Sequence, residues 1–147
     1  MIAEYSFSKA RSGFTELIDR VQRLAPAVIK PRKKTEEPSI VLSRSFLLEL
    51  LREDRGTQKV KPLFIEEPDK SVTLVLDELG IAVNAETRGA AIEAATKEAV
   101  EYAQEYLSPE NVALYVRSPN RGRHLPVVVR IALCNSMSEV METLGLA

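Results

Sequence analysis

The sequence has no tryptophan, one histidine and one cysteine, and aromatic residues make up 5% of its 147 positions. A lone Cys134 excludes an internal disulfide, and no CxxC pair or Cys/His cluster exists to hold a metal, so neither a metal nor a cofactor is expected. So few aromatics also argue against a stacking surface for single-stranded nucleic acid. Long hydrophobic runs are missing. The longest, Phe46–Leu51 and Leu125–Cys134, are broken by Glu49 and Arg130 and fall far short of the ~20 residues a bilayer needs. The opening MIAEYSFSKARSGF contains no uninterrupted signal-peptide core, and a reducing, cytoplasmic setting without a membrane partner is expected. What remains is an ordinary globular composition, 45% apolar and 28% charged, unlike that of a disordered tail protein.

The net charge of −1 conceals a division. Residues 1–61 carry thirteen Lys and Arg against eight Asp and Glu, a surplus of five positive charges. Residues 62–147 carry seven against thirteen, a surplus of six negative ones. Halves of opposite sign suggest two modules with different partners, a basic one suited to a polyanion and an acidic one facing protein.

In the basic half, a short apolar start (Ile2, Ala3, Tyr5) precedes Ser8, a candidate N-cap. Ala10, Phe14, Leu17, Ile18, Val21 and Leu24 then recur at the spacing of an amphipathic helix, which Ala25-Pro26 ends. Ala27–Ile29 and Ser39–Leu42 read as two strands, joined by a loop with four cations, Lys30, Arg32, Lys33 and Lys34. Ser43 is a second N-cap candidate. Phe46, Leu47, Leu48, Leu50 and Leu51 follow it and occupy more than one helical face, an excess that predicts a dimer interface through Phe46, Leu47 and Leu50.

The β-α-β-β-α order, with Tyr5-Ser6-Phe7-Ser8-Lys9-Ala10-Arg11, Phe14, Leu17-Ile18, Pro26–Ile29, a basic turn and Ile40-Val41-Leu42-Ser43, resembles the N-terminal domain of the Phd/YefM family of type II antitoxins over residues 1–52. The turn departs from the family's Thr-Arg-x-Gly pattern, reading Lys-Pro-Arg-Lys-Lys and running longer. The resemblance implies a homodimer that binds its own double-stranded promoter DNA through Ser8, Lys9, Arg11, Lys30, Arg32 and Lys33. It further implies neutralisation of a cognate toxin, a RelE-like ribonuclease among the candidates. The residues agree with the DNA contact. Arg suits a guanine edge and Lys33 a phosphate, and Lys9 and Arg11, placed in a first helical turn, would oppose the helix dipole unless an external anion met them. For each cation alone, a solvated surface charge is the alternative.

A polar stretch, Arg55–Pro62, marks the boundary, giving a DNA-binding and dimerisation domain over 1–55, a linker over 56–70 and a second domain over 71–147. There Val72–Leu76 and Gly80–Val83 read as a hairpin, and Thr87 caps an alanine-rich helix with a buried stripe of Ile92, Ala95, Ala99, Ala103 and Tyr106. This β-β-α segment, Leu74–Val83 and the helix through Leu107, resembles HicB-type antitoxin domains, so the fold class expected overall is α+β. Ala113–Val116 fits either a strand or a helical turn. A helix from Pro126 to Cys134 and a last one capped by Ser136 or Ser138 complete the reading.

No catalytic constellation emerges. His124 lacks an identifiable Ser/Asp or Cys partner, Asp77 and Glu78 sit at a turn rather than converging from strands, and the glycines are scattered. The expectation is therefore a non-enzyme, an antitoxin. The competing readings are a protein-interaction module without DNA binding and, less favoured, an RNase-type enzyme.

Overall fold

The computed structural model describes residues 2–53 and 58–147, so Arg55, Gly56 and Thr57 of the expected boundary lie outside the described residues. The chain divides into two compact units, Met1–Leu50 and Leu51–Ala147.

In the first unit, strand β1 (Ala3–Tyr5) is followed by helices α1 (Phe7–Ser12) and α2 (Phe14–Gln22), strands β2 (Ala27–Ile29) and β3 (Ser39–Val41), and helix α3 (Arg44–Leu50). Strand β2 lies centrally, parallel to β1 and antiparallel to β3, with Ala3 opposite Ala27 and Ala27 opposite Val41. Tyr5, Ala10, Leu17, Val21 and Ala27 form its core. Three local expectations are corrected. Ser6, not Ser8, is the N-cap, its Oγ accepting from the Lys9 amide at 3.1 Å. The expected single helix is broken at Gly13, whose amide bonds back to the Lys9 carbonyl as α1 ends. The helix also stops at Gln22: Pro26 bars Ala25 from helical geometry, and Leu24 takes a left-handed φ of 61°. The break and early stop leave Phe14 and Leu24, placed on the buried stripe by periodicity, exposed.

In the second unit, strands β4 (Leu63–Glu66), β5 (Val72–Leu76) and β6 (Ile81–Ala85) form an antiparallel meander. Beyond it lie helices α4 (Arg88–Tyr106), α5 (Val112–Arg117), α6 (Leu125–Ala132) and α7 (Met137–Thr143). Residues 58–70 are not a mere connection. Val60 is buried in the core, and β4 pairs with β5 while Phe64 packs on the core and takes the Arg88 guanidinium 3.6 Å from its ring centre. Thr87 caps α4, its Oγ1 accepting from the Ala90 amide. The buried face of α4 is Ala91, Ala95, Thr96, Ala99, Ala103 and Tyr106, with Ile92 half-buried instead of fully inward. The four alanines let α4 lie close on Leu74 and Leu76 of β5. Segment 112–117 is a helix, not a strand. Pro126 occupies the first turn of α6, and Ser136 caps α7 by accepting from the Glu139 amide. Among the described residues no helix is long and apolar enough to cross a membrane.

Gly122 supports the loop between α5 and α6 at close quarters, since a Cβ there would stand 2.6 Å from the Val116 carbonyl oxygen. Gly122→Ala is expected to destabilise the protein by about 1–3 kcal/mol through this overlap. Gly89→Ala, in α4 with open space around it, should stabilise by about 0.5–1 kcal/mol. Thermal melts of the two variants, read against wild type, should move in opposite directions.

Candidate nucleic-acid interface

Ser8 and five cations were expected to line one face, and their positions follow from the β2–β3 hairpin and the α1 turn. Ser8, Lys9, Arg11, Lys30, Arg32 and Lys33 are all exposed. Lys30 leaves β2 with its amide bonded to the Tyr5 carbonyl at 2.9 Å and its ammonium 3.6 Å from Glu4, a pair across the β1–β2 edge. Arg32, at the hairpin tip, is held from two directions. Its guanidinium forms two hydrogen bonds to Glu36, Nη2 to Oε1 at 2.6 Å and Nε to Oε2 at 3.2 Å, and its amide donates to the same carboxylate. The guanidinium also lies 5.2 Å from the ring centre of Phe7, the first residue of α1.

That contact joins the two cation groups. Residues 7 and 32 are far apart in sequence, and their stacking sets the start of α1 against the hairpin tip, where a shallow cavity of about 350 Å³ opens between Phe7, Ile29, Lys30 and Arg32. Arg11 lies four residues beyond Phe7, one turn further along the same side of α1. Lys9 turns back over the Tyr5 ring at 5.8 Å. Lys33 is exposed, and among the described residues no ion pair engages Arg11, Lys33 or Lys34.

Electrostatics at the tip are set by the Arg32–Glu36 pair. Its hydrogen bonds and charge hold the Glu36 carboxyl below its ordinary range and push the Arg32 guanidinium further up, so both remain ionised. Because α1 has six residues and begins at Phe7, Lys9 and Arg11 fall in its last turn, where they complement the helix dipole and require no external anion.

Two participants were not evident from residue type. Phe7 serves as the platform for Arg32, and Glu36, four residues further along the loop, as its counter-charge. The residues expected at a dimer interface lie on α3, which has no fully buried residue: Phe46 and Leu47 are half-buried, and Leu50 is 53% exposed. Ser43 caps this helix, its Oγ accepting from the Phe46 amide at 3.1 Å. Among the described residues no group of three His, Cys, Asp or Glu is placed to hold a metal ion.

For this α+β chain with its cationic hairpin, comparison with known proteins gives the class. Residues 1–146 match the family described as PHD-like, antitoxin of toxin-antitoxin, RelE / RelB, TA system. The chain belongs to that antitoxin family, and antitoxins are not enzymes. No curated protein matches the sequence. In fold the chain is similar to a crystal structure from Syntrophomonas wolfei subsp. wolfei, described as an antitoxin part of a proposed toxin/antitoxin system. The TM-score is 0.74 over 95% of this chain and 94% of that one, at 22% identity, a likeness of fold alone.

Proposed function

We propose that this antitoxin is of the Phd/YefM type, binding its own promoter as a homodimer through the first unit and neutralising a small ribonuclease-type toxin by direct contact. The observation that carries the reading is the stacking of Arg32 on Phe7, which sets the hairpin tip beside α1 and so favours one continuous cationic face of Arg11, Arg32 and Lys33. Arg11 and Arg32 suit base edges or phosphate, and Lys30, Lys33 and Ser8 the backbone. The half-exposed Phe46, Leu47 and Leu50 support pairing of two copies through α3, and a two-fold pair would read a palindrome. The second unit, whose β5–β6–α4 order is also that of HicB-type domains, supplies the acidic surface for a basic toxin.

The test is a gel-shift titration with the upstream promoter fragment at several salt concentrations, alongside sedimentation of the free protein. Expected are a dimer and an affinity that falls steeply with salt, by about one log unit per log unit of salt for each phosphate neutralised. The intramolecular Arg32–Glu36 and Lys30–Glu4 pairs favour the second reading, a protein-interaction module without DNA binding. A stable complex with a co-encoded partner, with no shift at low salt, would establish that reading instead.

A further inference from the structure

The two faces of the β4–β5–β6 meander differ. Leu74 and Leu76 of β5 face α4 and are fully buried, and Phe64 of β4 packs on the same core. Side chains alternate along a strand, so Leu63, Ile65, Thr73 and Val75 stand on the opposite face. The register aligns them across the sheet. Leu63 is opposite Val75 and Val75 opposite Ala82, an apolar row over three strands; Ile65 is opposite Thr73 and Thr73 opposite Asn84, a mixed row beside it. Leu63 is 56% and Ile65 40% exposed, Ala82 and Asn84 are exposed, and Thr73 and Val75 are half-buried. Strand β4 is also an edge of its sheet. An apolar edge invites association and is ordinarily blunted by charge, yet Glu66 is the one charged residue among the four of β4. An open apolar face with a polar rim has the character of an interaction surface.

Charge specifies the partner. The sheet segment, residues 62–87, holds one cation, Lys70, against Glu66, Glu67, Asp69, Asp77, Glu78 and Glu86. Residues 88–147 hold six cations against seven acids, so five of the six surplus negative charges of residues 62–147 belong to the sheet. The register concentrates them further. Glu66 is opposite Val72 and Val72 opposite Ala85, which brings Glu66, Glu67, Asp69 and Glu86 to one end of the sheet, beside the Ile65 row. Hydrogen bonds from the Ser71 hydroxyl and amide hold the Asp69 carboxyl below its ordinary range, so it is ionised at pH 7. Glu67 accepts from the Thr73 hydroxyl at 2.8 Å, and Asn84 donates to the same hydroxyl oxygen at 3.0 Å, which fixes the polar half of the face. A second copy of so acidic a sheet would be repelled, whereas a cationic surface would be drawn to it. The exposed apolar residues of α5, Leu114 and Val116, adjoin Arg117 instead and lack this complement.

We infer that the outer face of β4–β5–β6 is the docking surface for a small basic protein, with Leu63, Ile65 and Val75 as its apolar centre and Glu66 and Glu86 on its charged rim. The inference rests on the proposed neutralisation of a toxin by direct contact, and adds where on the second unit that contact is made. The apolar centre holds the complex together, and the rim charges speed the encounter.

The test measures association and dissociation rates of the full-length protein with its purified co-encoded partner. Leu63→Ser combined with Ile65→Ser should weaken binding by roughly tenfold or more, chiefly through faster dissociation. Glu66→Gln combined with Glu86→Gln should slow association by about threefold and flatten its salt dependence. Glu93→Gln combined with Glu98→Gln removes the same charge from the exposed side of α4 and should change both rates by less than about twofold. Wild-type binding that neither sheet pair weakens, or that the α4 pair slows as much as the rim pair does, would overturn the location and leave direct contact standing. Absence of any complex with wild type would overturn both. Loss of self-association in sedimentation by the β4 pair, with partner binding intact, would make the face a contact between copies and overturn the inference as well. Should the β4 pair not fold, the rim pair against the α4 pair decides alone.

Discussion

Leu17→Ala is expected to unfold the first unit while the second stays folded. Leu17 is fully buried, and among the described residues its cluster has four other buried members, Tyr5, Ala10, Val21 and Ala27, with Ala3, Ile18, Ile29 and Val41 half-buried against it. Truncating a buried leucine costs about 2–5 kcal/mol, from lost transfer energy and the cavity left behind. A unit of some fifty residues has little stability in reserve, because a chain so short buries a smaller fraction of its surface than a larger domain does. The second unit's core contains fifteen buried apolar residues among those described, and no residue of that cluster comes from the first unit. Amide NMR spectra should therefore lose the dispersed signals of residues 2–50 and keep those of residues 58–147. Loss of both sets together would mean that the two units fold as one.

The second large effect is expected at the hairpin tip, and it runs in opposite directions for two neighbours. Arg32→Ala should weaken promoter binding. A guanidinium on a base edge is worth about 1–3 kcal/mol, roughly five- to 150-fold, and a two-fold dimer loses it twice. Glu36→Gln should tighten binding, because it removes a negative charge from the tip and leaves one acceptor oxygen where the Arg32 guanidinium now has two. Glu37→Gln removes the same charge without touching Arg32's partner, so it separates loss of that acceptor from simple neutralisation. Fluorescence anisotropy with labelled promoter DNA would measure all three. Unchanged affinity in both Arg32→Ala and Glu36→Gln would take the tip away from the DNA.

Local features were legible in the sequence where the chemistry is local. Strands β2 and β3 stand out because β-branched residues are bounded by Pro26 and Pro38, and the Thr87 cap because a hydroxyl precedes a helical pattern, while at α7 the sequence left Ser136 and Ser138 both open. The α1–α2 break was not legible. Periodicity runs through Gly13 almost unchanged, and what ends α1 is the Gly13 backbone leaving helical geometry, at φ −108° and ψ 35°. Strand β4 was hidden between Pro62 and Pro68, whose punctuation reads as a connection until Phe64 is seen against Arg88 and the core. Of the candidate site, the cations themselves were visible, as was the hairpin that presents them. Phe7 beneath Arg32 was not, since no spacing rule relates residues so far apart.

The glycine between α1 and α2 has a mechanical consequence. A helix of six residues is too short to persist in water by itself, so α1 has no rigid axis of its own. The direction in which Arg11 points is then set by its two ends: the Gly13 backbone, at φ −108° and ψ 35°, and Phe7 lodged beneath a guanidinium. Any molecule that draws Arg32 away removes one of those two anchors, leaving α1 to swing about a single pivot, so recognition at the tip and the aim of the helix are geared together.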